Sequence, residues 1–126
     1  MLSLTRSVRC IMFEKDMRIS FLLDFYSDAL DGHTASVMRA YYNDDLSLSE
    51  IASGEGISRQ GIRHLIKKGE EQINFLEDKL GLARRYTELS ECAASLSQLS
   101  ASLEERGLLT EKETLDSAIK IILKGN

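Results

Sequence analysis

Residues 47–69, Ser47-Leu-Ser-Leu-Ser-Glu-Ile-Ala-Ser-Gly-Glu-Gly-Ile-Ser-Arg-Gln-Gly-Ile-Arg-His-Leu-Ile-Lys-Lys-Gly69, read as a helix-turn-helix. Ile51 and Ala52 face inward from a short first helix at about 48–54. Ser47 and Glu50 open it as a capping box, the serine accepting from the helix start and the glutamate reaching back. Ala52 is small where a second helix must cross closely. Gly56, four residues on, supplies a positive φ at no steric cost. Ile57 plugs the turn, and Ser58 caps the next helix by accepting from a free backbone N–H. Ile62, Leu65 and Ile66 give that helix one apolar stripe. Arg59, Gln60, Arg63, His64 and Lys67 fall on its other faces, available to base edges and phosphates. Two short helices joined by a glycine turn also occur as plain core hairpins. The agreement of caps, turn and charge argues for the motif.

Charge is distributed unevenly around this stretch. Net charge is −4, which counts against a surface that seeks nucleic acid everywhere. Residues 14–55 carry nine acids and three bases, and residues 70–126 carry eleven acids and seven bases. Between them, residues 56–69 hold no acid and four bases: Arg59, Arg63, Lys67 and Lys68. A basic strip on an acidic body suits a local DNA contact, and equally a docking face for an acidic protein.

At 126 residues, with 43% apolar and 29% charged side chains, the chain is long enough for a core and reads as soluble and cytoplasmic. It has no apolar run of membrane-spanning length and no signal-peptide pattern. Cys10 and Cys92 are far apart, so free thiols are expected and a metal site is not. The absence of proline and the wealth of Leu, Glu, Lys and Ala point to an all-α protein. Three segments are expected: a leader at 1–12, a helix-turn-helix domain at 13–81, and a C-terminal helical hairpin at 82–126. Met12 is an alternative start, and Arg6 and Arg9 are the charges of the leader.

From Glu14, the positions Ile19, Leu22, Leu23, Tyr26 and Leu30 repeat at helical spacing, with Phe21 and Phe25 broadening the apolar face, to an end near Asp31-Gly32. Thr34 is the expected cap of a second helix carrying Val37, Met38 and Tyr41, with His33 in the loop before it. The recognition helix is expected to continue through Ile73, Leu76 and Leu80 to a stop at Gly81. Gly61 lies inside it, either for close approach or merely tolerated. Beyond Gly81, Leu89, Cys92, Leu96, Leu99 and Leu103 form an a/d seam. A second capping box, Thr110–Glu113, opens a last helix with Leu115, Ala118, Ile119, Ile122 and Leu123 inside. This αα-hairpin either folds back on the chain or pairs with a second subunit. The length of the seam favours a homodimer.

Motifs for catalysis are missing. No phosphate-cradling loop, dinucleotide fingerprint, metalloprotease pair or nucleophile elbow occurs. No catalytic residue, cofactor or metal ligand is assigned.

Glu14-Lys-Asp-Met-Arg-Ile-Ser-Phe-Leu-Leu-Asp-Phe-Tyr-Ser-Asp-Ala-Leu30, Tyr41-Tyr-Asn-Asp-Asp-Leu-Ser-Leu-Ser-Glu-Ile-Ala52, Ile57-Ser-Arg-Gln-Gly-Ile62 and Lys79-Leu-Gly-Leu82 resemble the YlxM-type family of small bacterial proteins. The resemblance covers most of residues 12–86. It departs at Asp31–Ser36, where a more polar helix start is expected, and at Gly61, where alanine is common. It implies a bundle similar to region 4 of sigma factors, DNA binding in transcription regulation, and a link to the signal recognition particle pathway. On duplex DNA, Arg63 and Gln60 would read bases. Arg59, His64 and Lys67 would divide between bases and phosphates, with Ser47, Ser49 and Ser58 at the helix starts near the backbone. The competing expectation is a module that docks on protein components of the signal recognition particle without binding DNA.

Overall fold

Six α-helices run through residues 15–124, the part of the chain that the computed structural model describes. The leader, Cys10 and Glu14 lie outside it. The chain is all-α and divides at Gly81 into two units.

In the first unit, α1 (Met17–Tyr26) is capped by Asp16, whose carboxylate accepts from the Arg18 amide at 2.9 Å. Its apolar spacing is as read, with Ile19, Leu22, Leu23 and Tyr26 all buried. The helix stops at Tyr26, earlier than expected, and a 3-10 turn over Ser27–Ala29 carries the chain to Leu30. Leu30 still reaches the core, at 7% exposure, while Phe21 turns outward.

α2 (Gly32–Tyr42) is capped by Asp31 and not by Thr34. The Asp31 carboxylate accepts from the Thr34 amide at 2.9 Å and from its hydroxyl at 2.8 Å. A carboxylate has acceptors enough for both donors, and its negative charge suits the positive end of a helix. Thr34 is thereby drawn into the core, fully buried beside Val37 and Met38. His33 is consequently in the first turn of α2, and its Nε2 lies 2.9 Å from Oε1 of Glu55.

α3 (Leu48–Glu55) and α4 (Arg59–Leu80) form the helix-turn-helix. Both hydrogen bonds of the Ser47–Glu50 capping box are present, at 3.1 Å and 2.8 Å. Gly56 takes φ +72° as the C-cap of α3, and Ser58 Oγ accepts from the Gly61 amide at 3.0 Å. Ile57 departs from expectation, lying at the surface.

α4 is the spine of this unit, packed by α1, α2 and α3. Ile62, Ile66 and Ile73 are its buried stripe. Leu80, expected to extend the stripe, is 59% exposed, and the inward position near that end is Glu77. The Tyr26 hydroxyl donates to the buried Glu77 carboxylate at 2.6 Å, joining α1 to α4. The close-approach glycine is Gly69, whose missing Cβ makes room for Met38 of α2. Gly61 has ordinary space around it.

The second unit is the expected αα-hairpin of α5 (Leu82–Glu105) and α6 (Leu109–Lys124), turned at Gly107 with φ +75°. Its central line differs from the expected leucine seam. Ala93, Ser100 and Ile119 are buried, Leu89, Leu96 and Leu103 are half-buried, and Cys92 and Leu99 are exposed. Small residues on the line let the helices approach closely. The Ser100 hydroxyl donates to Asp116 at 2.5 Å, and Lys112 pairs with the other oxygen of that carboxylate at 2.5 Å. The Thr110 capping box does not form, because α6 begins at Leu109, two residues before the Glu111 start that the box requires. The Lys112 amide donates to the Leu108 carbonyl at 3.0 Å.

Candidate nucleic-acid interface

The capping box at Ser47 and the left-handed Gly56 together fix both ends of α3. α4 then starts with a serine cap at Ser58. Arg59, Arg63 and Lys67 recur every fourth residue and share one slowly drifting stripe of this helix. Gln60 and His64 form a second stripe one step further round. All five side chains are exposed. Apart from Arg59, which stands seven residues before Ile66, these positions turn away from Ile62, Ile66 and Ile73, which bind the helix to its neighbours.

What sets Arg59, Arg63 and Lys67 apart is the lack of protein partners. None makes a hydrogen bond or an ion pair among the described residues. The other cations near them are committed. Lys15 donates to the carbonyls of Tyr41 and Leu46, at 2.7 and 3.1 Å, and to Asp45 at 3.0 Å. Arg18 donates to Asn74 at 2.6 Å. Arg39 and Lys68 lie 3.7 Å from Asp28 and Asp31 respectively. Lys68, one of the four bases in the sequence strip, is thus drawn off to α2.

Arg59 and Arg63 line a groove of about 400 Å³ together with Ser47 and Ser49 of α3. Arg63 and Lys67 line an adjoining one of about 420 Å³, and Tyr41 and Leu48 belong to both. Five of the eight expected site residues therefore meet along one surface. Gln60 and His64 line neither groove. Ser58 is engaged as a cap through its oxygen, which leaves its hydroxyl hydrogen free to donate, whereas the Ser47 hydroxyl is engaged with Glu50.

Lys15, Tyr41, Asp45, Glu50 and Glu70 also line these grooves and were not expected there. Lys15 stitches the loop between α2 and α3, its ammonium 4.1 Å from the centre of the Tyr41 ring. Asp45 in that loop adopts φ +57°, a left-handed backbone uncommon outside glycine. Tyr42 donates to the Glu70 carboxylate and ties α2 to α4. Burial, and then that carboxylate, push the Tyr42 hydroxyl far above the usual tyrosine range. The backbone amide and hydroxyl of Ser47 hold Glu50 below its ordinary value, so it is ionised at neutral pH. Glu50 is marked locally by the capping box. The others have no local pattern, because their contacts, such as Lys15 with Tyr41 and Asp45 and Tyr42 with Glu70, are distant in sequence.

No group of three or more His, Cys, Asp or Glu side chains among the described residues is arranged to hold a metal ion. No helix among them is long and apolar enough to cross a membrane.

Residues 13–114 match the UPF0122 family of YlxM/p13-like proteins, which are inferred to carry a helix-turn-helix. The chain belongs to the UPF0122 family. A UPF0122 protein of Listeria innocua is 40% identical over 107 residues, 83% of this chain and 94% of the relative. One of Bacillus mycoides is 36% identical over 113 residues, 90% and 94% of the two chains. One of Bacillus thuringiensis is 38% identical over 109 residues, 86% and 97%. UPF0122 membership and the α3–α4 geometry agree that this is a helix-turn-helix protein.

Proposed function

We propose that this protein binds duplex DNA, with α4 entering the major groove. The observation that carries the reading is the unpaired stripe of Arg59, Arg63 and Lys67 beside the capped start of α3. An ion pair within the protein would have to be broken before a phosphate could be bound, and these three cations have none to break. Arg63 and Gln60 read base edges; Arg59, His64 and Lys67 divide between bases and phosphates; Ser47, Ser49 and Ser58 lie near the DNA backbone. The reading assigns a regulatory role without catalysis. Binding of a labelled mixed-sequence duplex, followed by anisotropy across a salt series, tests it. Replacing all three cations by alanine should flatten the salt slope by about 2–3. An unchanged slope and affinity would remove the proposal.

A second reading is favoured by one observation: Asp45 and Glu50 line the same groove as Arg59 and Arg63. Acids beside the cations suit a protein surface of mixed charge better than a phosphate backbone, as in docking on a protein component of the signal recognition particle. A complex recovered from lysate after nuclease treatment favours this reading; its loss on nuclease treatment favours DNA.

A further inference from the structure

Tyr41 of α2 lines both grooves beside α4, as Arg63 does. Its ring is held on two sides. The Lys15 ammonium lies 4.1 Å from the ring centre, and the Tyr42 ring packs edge-on with centroids 5.0 Å apart. Both supports are themselves anchored. Lys15 donates to the Tyr41 and Leu46 carbonyls and to Asp45, and Tyr42 donates to Glu70. A side chain confined in this way has little rotamer freedom left to lose on binding.

The hydroxyl at the end of this ring is unengaged. It makes no hydrogen bond among the described residues, whereas Tyr26 and Tyr42 both donate to carboxylates. Nor is it sealed from water, because the buried side-chain polar atom without a partner among those residues is Gln72 Oε1. Tyr41 as a whole is half-buried. Burial, and then the Glu70 carboxylate, raise its hydroxyl above the usual tyrosine value, while Arg63 opposes them. The group is therefore a neutral donor at neutral pH, within electrostatic reach of Arg63.

The balance of charge around it favours an anion. The acids that line the two grooves are each engaged: Asp45 with Lys15, Glu50 with the Ser47 amide and Glu70 with Tyr42. Arg59, Arg63 and Lys67 have no such partner among the described residues. A preorganised hydroxyl among unpaired cations matches a phosphate oxygen, which accepts from tyrosine as well as from arginine and lysine. We propose that the Tyr41 hydroxyl donates to a DNA phosphate at the junction of the two grooves, beside Arg63. The contact brings α2 into the interface and fixes the register of α4 without reading sequence. It rests on the duplex-DNA reading of this surface.

Tyr41→Phe removes the hydroxyl and keeps the ring against Lys15 and Tyr42. In anisotropy titrations of the full-length protein against the labelled mixed-sequence duplex, the variant should bind about tenfold more weakly. Its salt slope should equal that of the wild type, because a neutral donor displaces no counterion. Its melting temperature should also match, since the hydroxyl serves no bond within the fold. A wild type that fails to bind the duplex would overturn the DNA reading and this inference together. A wild type that binds with a steep salt slope, equalled in affinity by Tyr41→Phe, would overturn this inference alone. So would a loss of affinity accompanied by a lower melting temperature or a flatter slope, either of which assigns the hydroxyl to the fold or to the cations.

Discussion

A β-carbon built on Gly69 would stand 2.8 Å from both Cγ and Sδ of Met38. Met38 is fully buried, so it has little room to retreat. Glycine inside a helix costs about 1 kcal/mol relative to alanine, and here the cost is exchanged for close packing of α2 on α4. Gly69→Ala should therefore destabilise the protein by about 1–2 kcal/mol in spite of its better helix propensity. Urea unfolding at unchanged m-value measures it. A shorter side chain at position 38 should remove most of the penalty in a double-mutant cycle. A higher midpoint for Gly69→Ala alone would mean that propensity outweighs contact.

Gly54 and Gly56 sit two residues apart and should respond in opposite directions. Neither has an atom within 4 Å of the place a Cβ would occupy, so space does not distinguish them. Backbone does: Gly56 has φ +72°, whereas Gly54 is an ordinary α3 residue. Gly56→Ala should cost about 1–2 kcal/mol, from left-handed strain. Gly54→Ala should stabilise by up to about 1 kcal/mol. Thermal melts of the two variants side by side check the sign of each.

On a specific DNA site, Arg63 and Lys67 should differ in kind. Arg63→Ala should cost about 1–3 kcal/mol and relax preference at one base position. Lys67→Ala should weaken all sequences alike and lower the salt slope by about one. Competition titrations with point-substituted duplexes separate the two behaviours, and identical profiles would contradict the assignment.

Acid should loosen the caps before neutral pH does. Hydrogen bonds from Thr34 hold Asp31 below its ordinary 3.8, and Lys112 and then Ser100 do the same for Asp116. Bonds from Ser47 hold Glu50 below 4.5. A carboxylate depressed in the folded state stabilises the fold above its unfolded value, and that contribution is lost as pH falls through the folded one. The melting temperature should thus be insensitive to these groups above about pH 5 and should fall below about pH 4. Asp31→Asn keeps a good cap without the titration, so its acid-induced drop should be shallower.

The leucine spacing after Gly81 shows how far periodicity reaches. It identifies two helices and a hairpin, because an amphipathic stripe must be buried somewhere. It does not identify which edge of the stripe meets α6. Ala93 and Ser100 take the centre because small residues allow the close approach, and Leu99 is left on the flank. A similar limit applies to Thr34 and Asp31. Both are competent caps in sequence, and the choice fell to the carboxylate, whose two oxygens satisfy the threonine as well as the helix.

The sequence alone determined four features whose hydrogen bonds close within three or four residues: the Ser47–Glu50 box, the left-handed turn at Gly56, the Ser58 cap and the stop at Gly81. Their physics is local, so residue type and spacing suffice where no competing cap stands nearby, as Asp31 does beside Thr34. Tertiary structure decided which cations of the basic strip remain free, which glycine admits a neighbouring side chain, and which residues share a groove with Arg63. Those outcomes depend on partners far along the chain. Lys68 is committed to Asp31, Lys15 reaches Tyr41 and Asp45, and Gly69 receives Met38. Only packing of α1, α2 and α3 against α4 brings such partners within a few ångströms.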